Sequence, residues 1–182
     1  ESGIVTLTLT GDPISPCGAV TDQMQITVHP LPVAVAGPSG TSCQGNNYPV
    51  IGASAQFYNS VAWTEDGPGS LVNANTLTPT YIPLPGETGT VTLTLTVHGE
   101  NTCSAETAIS TRTLTINPLP DVSAGADATI CAANTFPVAG IEQFTSALQW
   151  TTSGDGAFSN PGLLSTVYTP GANDILAGNV LL

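Results

Sequence analysis

Lysine is absent from this 182-residue sequence and arginine occurs once, at Arg112, against 13 acidic residues, for a formal net charge of −12. A surface so charged repels nucleic-acid phosphates and anionic lipid headgroups, which excludes both as partners. Without lysine there is no Gly-x-x-x-x-Gly-Lys phosphate loop, and no Cys-x-x-Cys pair offers a zinc site. No apolar run reaches the length of about 18 residues that a membrane-crossing helix requires. Charged residues make up only 8% of the chain, so Thr, Ser, Asn and Gln supply most of its polar surface. Threonine suits strands better than helices, which points to a β protein. The hydrophobic content of 41% is enough for packed cores.

Self-comparison shows an internal repeat. His29-Pro30-Leu31-Pro32-Val33 recurs as Asn117-Pro118-Leu119-Pro120-Asp121, an offset of 88. Ala36-Gly37 matches Ala124-Gly125, Cys43 matches Cys131, and Tyr48-Pro49-Val50 matches Phe136-Pro137-Val138. Trp63-Thr64 then matches Trp150-Thr151, and Tyr81 and Pro83 match Tyr168 and Pro170. At the N-terminus, Glu1 to Thr10 repeats almost letter for letter as Glu87 to Thr96, and Cys17 matches Cys103. The expected organisation is the end of one repeat (1–29), a complete repeat (30–117) and the first part of another (118–182). Both ends read as cut, as in a piece of a longer protein.

Each repeat reads as an antiparallel β-sandwich. Val5, Leu7 and Leu9 alternate with Thr6, Thr8 and Thr10, a period of two that places aliphatics on one face of a strand. Met24 to Val28, Val91 to Val97 and Thr113 to Ile116 alternate likewise. Gly11-Asp12-Pro13, Gly45-Asn46-Asn47, Asp66-Gly67-Pro68-Gly69, Pro85-Gly86 and His98-Gly99-Glu100-Asn101 supply turns at short spacing. No segment carries a helical apolar stripe, and at most Asn173–Ala177 forms a helical turn. Trp63 and Trp150, one per repeat at a fixed place, are expected in the sandwich cores rather than as sugar-stacking platforms. Tyr81 and Tyr168 are expected to be structural too. The Pro-Leu-Pro segments predict short, stiff linkers and an extended array.

The order Pro-x-Ala-x-Ala-Gly-Pro, Cys, Trp-Thr-x-x-Gly-x-Gly, Tyr-x-Pro and Val-Thr-Leu-Thr resembles PKD-like and Ig-like tandem repeats. These occur in large secreted and cell-surface adhesin-type proteins of gliding bacteria, cargo of the type IX secretion system. The resemblance implies tandem Ig-like sandwiches, export to the cell surface or medium, and a role in a stalk, filament or adhesin. Here the tryptophan motif is Trp63-Thr64-Glu65-Asp66-Gly67-Pro68-Gly69, not Trp-Asp-Phe-Gly-Asp-Gly, so no acidic site of such repeats carries over.

In an exported chain, periodic cysteines suggest disulfides. Cys43–Cys103 within the complete repeat is the first expectation; Cys17–Cys43 with Cys103–Cys131, stapling neighbouring repeats, is the alternative. The first choice meets an objection, because in an Ig-like sandwich these two turns lie at opposite poles. Catalysis is not expected. His29 and His98 have no recurring Ser or Asp partners, and Glu65-Asp66 becomes Thr152-Ser153 in the next copy. No cofactor is expected; Asp66 and Asp155, in Gly-rich turns, are weak candidates for a structural Ca²⁺. The expected function is a spacer and display scaffold in a long extracellular stalk, filament or adhesin, with neighbouring repeats as partners and lateral self-association through edge strands. The alternative is an accessory glycan- or protein-binding module of a secreted enzyme.

Overall fold

The computed structural model describes residues 3–182, which fall into two compact units that divide between Asn117 and Pro118. The first unit opens with a hairpin of β1 (Gly3–Gly11) and β2 (Val20–Val28). Nine strands follow: β3 (Val33–Val35), β4 (Gly40–Cys43), β5 (Tyr48–Pro49), β6 (Ser54–Gln56), β7 (Tyr58–Glu65), β8 (Ser70–Val72), β9 (Thr80–Ile82), β10 (Gly89–Gly99) and β11 (Thr107–Asn117). The second unit holds β12 (Asp121–Ser123), β13 (Phe136–Ala139), β14 (Ile141–Gln143), β15 (Ala157–Phe158), β16 (Ser165–Thr169) and α1 (Ala172–Ala177). The chain is therefore all-β with one short helix.

In the complete repeat, β4-β11-β10-β7 form one four-stranded sheet, antiparallel except that β4 runs parallel to β11. Facing it, β3 pairs β6, and β5-β9-β8 form the second layer. Residues 50–53 separate β5 from β6, so these two behave as one interrupted strand linking the pairs. This distribution matches an Ig-like sandwich, with A, B, E and D strands on one side and C, F and G on the other. Between the layers lie Ala36, Val50 and Tyr81 from one side and Val61, Trp63, Val91, Leu93, Leu95, Val97, Leu114 and Ile116 from the other. The period-two pattern explains the choice: Val91, Leu93, Leu95 and Val97 are buried while the threonines between them are half-exposed.

One glycine is required by this packing. Gly37 has φ of 83°, and a Cβ there would lie 2.9 Å from the Gly52 and Ile51 backbone. Its counterpart Gly125 also has positive φ, at 96°.

The second unit reproduces only one layer. Its pairs Val122↔Glu142, Phe136↔Tyr168 and Phe158↔Tyr168 stand where the complete repeat has Ala34↔Ala55, Tyr48↔Tyr81 and Leu71↔Tyr81. Residues 145–152, the counterpart of β7, form no strand. The β1–β2 hairpin shows the reverse. It has the register and pattern of β10–β11, yet every residue in both strands is exposed.

Candidate functional site

The two tryptophans differ in burial although their local bonding is the same. Trp63 sits in β7 opposite Leu95 and is only 4% exposed. Its backbone N–H donates to Ala74 O at 2.8 Å and its indole N–H to Thr76 O at 3.0 Å. Trp150 donates in the same way, to Pro161 O at 2.8 Å and Leu163 O at 3.1 Å. Its ring, however, is half-buried and lines an open apolar groove with Leu148, Leu164, Val122, Ile141 and Leu182. Trp150, expected in a core like Trp63, is thus half-buried among the described residues.

Each unit is closed by a buried tyrosine–carboxylate lock. Tyr81 is fully buried, and its hydroxyl donates to Glu87 Oε1 at 2.6 Å while accepting from the Gly69 N–H at 3.0 Å. Glu87 Oε2 accepts from the Leu84 N–H at 2.7 Å. In the second unit Tyr168 donates to Asp174 Oδ2 at 2.5 Å, and Asp174 also accepts from the N–H groups of Asp155, Gly156 and Gly171. The acid six residues after each tyrosine thus recurs where most acids do not. That spacing is legible in the sequence, but only burial shows its purpose.

Burial, then the bond to Glu87, pushes the Tyr81 phenol up to about 12. Tyr168 is raised too, by burial and then by Asp174. The Asp174 carboxyl is held below its ordinary value, first by Tyr168 and next by the Gly171 N–H. A raised phenol contributes stability that is complete below the unfolded tyrosine value of about 10 and lost as pH climbs through the folded value. A lowered carboxyl contributes above about 4 and is lost as pH falls through its folded value. Ultraviolet absorbance at alkaline pH should therefore show two of the four tyrosines ionising late and together with unfolding. Tyr81→Phe should remove one late step; four tyrosines titrating together near the ordinary value would contradict the lock.

Both calcium candidates accept backbone hydrogen bonds. Asp66 Oδ1 accepts from the Thr92 N–H at 2.6 Å, which holds its carboxyl below the usual range. Asp155 accepts from the Asn173 and Asp174 N–H groups at the start of α1. Among the described residues, no group of three His, Cys, Asp or Glu side chains is placed to hold a metal ion. His98 lies in β10 opposite Ser60 and Thr107, and His29 precedes the linker.

All four cysteines are free thiols. The Cys43–Cys103 expectation is corrected by strand polarity. Cys43 ends β4 opposite Asn117, the last residue of β11, whereas Cys103 lies in the 3-10 turn that precedes the first residue of β11. The 11 residues of β11 separate them by about 35 Å. Cys103 lies instead against the incoming linker, its thiol 3.7 Å from His29 O. Cys17 belongs to the tip of the β1–β2 hairpin, away from that linker, so it is not brought to Cys43.

Arg112, the lone cationic side chain, is spent inside the fold. It is 4% exposed, and its guanidinium donates to Ala36 O at 3.2 Å, Ile51 O at 2.9 Å and the Tyr48 hydroxyl at 2.5 Å. In the sequence it reads only as a single positive charge. Its burial leaves the described surface without a cationic side chain.

No family model matches the chain, and no curated protein matches it. Among solved structures, it is similar to the D00-D0 domain of Intimin, with 12% identity and a TM-score of 0.39 over 76% of this chain and 86% of that one. Among the described residues, no helix is long and apolar enough to cross a membrane.

Proposed function

We propose that the chain is part of the repeat region of an extracellular or cell-surface stalk, filament or adhesin, where it acts as spacer and display scaffold. One observation carries this reading: what recurs between copies is architecture. Trp63 and Trp150 make equivalent indole bonds, and Tyr81–Glu87 and Tyr168–Asp174 make equivalent locks. What changes is the chemistry-bearing set: Glu65-Asp66 gives way to Thr152-Ser153, and His29 to Asn117. The uniformly anionic surface keeps copies soluble and apart.

The sheet order also suits a load-bearing element. β4 lies near the start of the repeat and β11 ends it, and the two are parallel neighbours over four residue pairs. Tension along the chain shears these strands, so their hydrogen bonds share the load instead of opening one by one. Single-molecule extension of the whole chain should therefore show the complete repeat yielding in one abrupt step, releasing roughly 30 nm of chain. Gradual extension at low force would count against a spacer built for tension. The accessory-module reading predicts a glycan bound through an aromatic face; Trp63 is buried and Trp150 has its indole N–H occupied. Glycan binding abolished by Trp150→Ala, with the fold intact by circular dichroism, would replace the spacer with that module.

A further inference from the structure

Cysteine recurs at two places in the repeat, an early one (Cys43, Cys131) and a late one (Cys17, Cys103). Strand polarity keeps the two apart within a copy, yet in the complete repeat each lies at a boundary with a neighbouring copy. We propose that the early cysteine of one repeat is joined to the late cysteine of the next by a disulfide. This rests on the reading of the chain as part of a tandem array.

One residue carries the geometry. Asn117, the last residue of β11, is the parallel ladder partner of Cys43, and its carbonyl accepts from the Gln44 N–H at 2.8 Å. Its counterpart one copy earlier is His29, whose carbonyl lies 3.7 Å from the Cys103 thiol. In an array, the residue at this place is flanked by the early cysteine of the repeat it ends and the late cysteine of the repeat that follows. Neighbouring strands lie about 4.8 Å apart, and a disulfide needs Cα atoms within about 7 Å, so the two approach the same carbonyl at bonding range.

The turn that presents Cys103 is built against the linker. The Cys103 N–H donates to Glu100 O at 3.0 Å, and Cys103 O accepts from the Glu106 N–H at 3.0 Å. A Cβ on Gly99 would collide with the Cys103 carbonyl and crowd Pro32 Cδ at 3.3 Å, so only glycine lets the turn and the linker proline pack this closely. Cys43 is exposed, within reach of an oxidant. The bond forms by exchange with a small disulfide such as oxidised glutathione. The two protein thiols give up two protons and two electrons, and the oxidant leaves as two thiols.

This pairing changes the path of load. Cys103 and Cys131 are 28 residues apart in sequence. A force reaching an early cysteine crosses the bond to the late cysteine of the next copy. It then follows those 28 residues to the early cysteine of the copy after and crosses again. Every two repeats therefore expose only about 95 Å of chain to tension. The sandwiches are bypassed, and the array resists extension even where one of them unfolds.

In the 182-residue chain no early cysteine is followed by a late one in the next copy. In a glutathione redox buffer all four thiols should therefore stay open to alkylation. Duplicating residues 30–117 within this chain, directly after Asn117, creates one such pair: Cys43 of the first copy and Cys103 of the inserted copy. Mass spectrometry of a non-reduced digest should find that bond alone, with circular dichroism confirming the fold. Cys43→Ser in the first copy should abolish it, whereas Cys43→Ser in the inserted copy should leave it intact. In single-molecule extension, oxidation should remove the long steps of both copies, and dithiothreitol should restore them. A duplicated chain whose thiols all alkylate, a bond within one copy, or long steps that persist once the bond has formed would each overturn the proposal. Loss of the bond with abrupt yielding intact would leave the spacer reading standing. Gradual yielding of the reduced chain, with the bond still able to form, would defeat the spacer reading alone.

Discussion

Trp63→Ala is expected to destabilise the complete repeat by about 3–5 kcal/mol, the largest effect of any single truncation. The indole fills the centre of a core with Leu93, Leu95 and Tyr81, each fully buried, and its N–H satisfies Thr76 O. Removal leaves a cavity in a small sandwich that cannot collapse around it, and also strands a carbonyl. In calorimetry of the whole chain, the transition of this repeat should fall by on the order of 20 °C. Trp150→Ala, from the half-buried groove, should move its own unit far less. Equal shifts for the two would mean that the sheet above Trp63 contributes little, contrary to the packing described.

Arg112→Ala should cost about 3 kcal/mol, a large effect for a side chain without a carboxylate partner. The guanidinium is held by two carbonyl oxygens, a tyrosine hydroxyl and the Tyr48 ring, whose centroid is 5.5 Å away. Its Nε has no partner, so the site is not ideal for a cation. Truncation still leaves the buried Ala36 O without its donor, and the part-buried bonds to Ile51 O and the Tyr48 hydroxyl unmade. These groups tie β11 to the opposite layer, next to the close approach of Gly37 and Gly52. Arg112→Met, the residue of the N-terminal copy (Met24), keeps the apolar stem and should cost less than alanine. Arg112→Lys cannot fork to three acceptors and should not restore full stability. Urea unfolding followed by Trp63 fluorescence in a Trp150→Phe background decides the matter. An unchanged midpoint for Arg112→Ala would show that the buried cation stabilises nothing.

Much of the fold was legible in the residues. Alternation of Val-Thr-Leu-Thr placed β10 and β11, the repeat placed β1 and β2, and the turn residues placed the breaks between them. The helical turn expected at Asn173–Ala177 is α1, one residue longer at its start. The locks at Tyr81 and Tyr168 were half legible. The tyrosines read as structural, but the acids six residues on do not stand out because the other acids vary between copies. Arg112 was invisible for a different reason: a single cation in an acidic chain reads as surface, and only the meeting of Ala36, Ile51 and Tyr48 makes it interior.

The sequence alone determined the repeat, its period and the strand pattern, because these depend on local alternation and turn chemistry, which each copy states again. Tertiary structure decided everything that depends on which strand lies beside which. It separated Cys43 from Cys103, because a parallel β4 runs to the end of β11 farthest from the turn. It spent Glu87, Asp174 and Arg112 on backbone and hydroxyl groups, because buried polar groups must be paired.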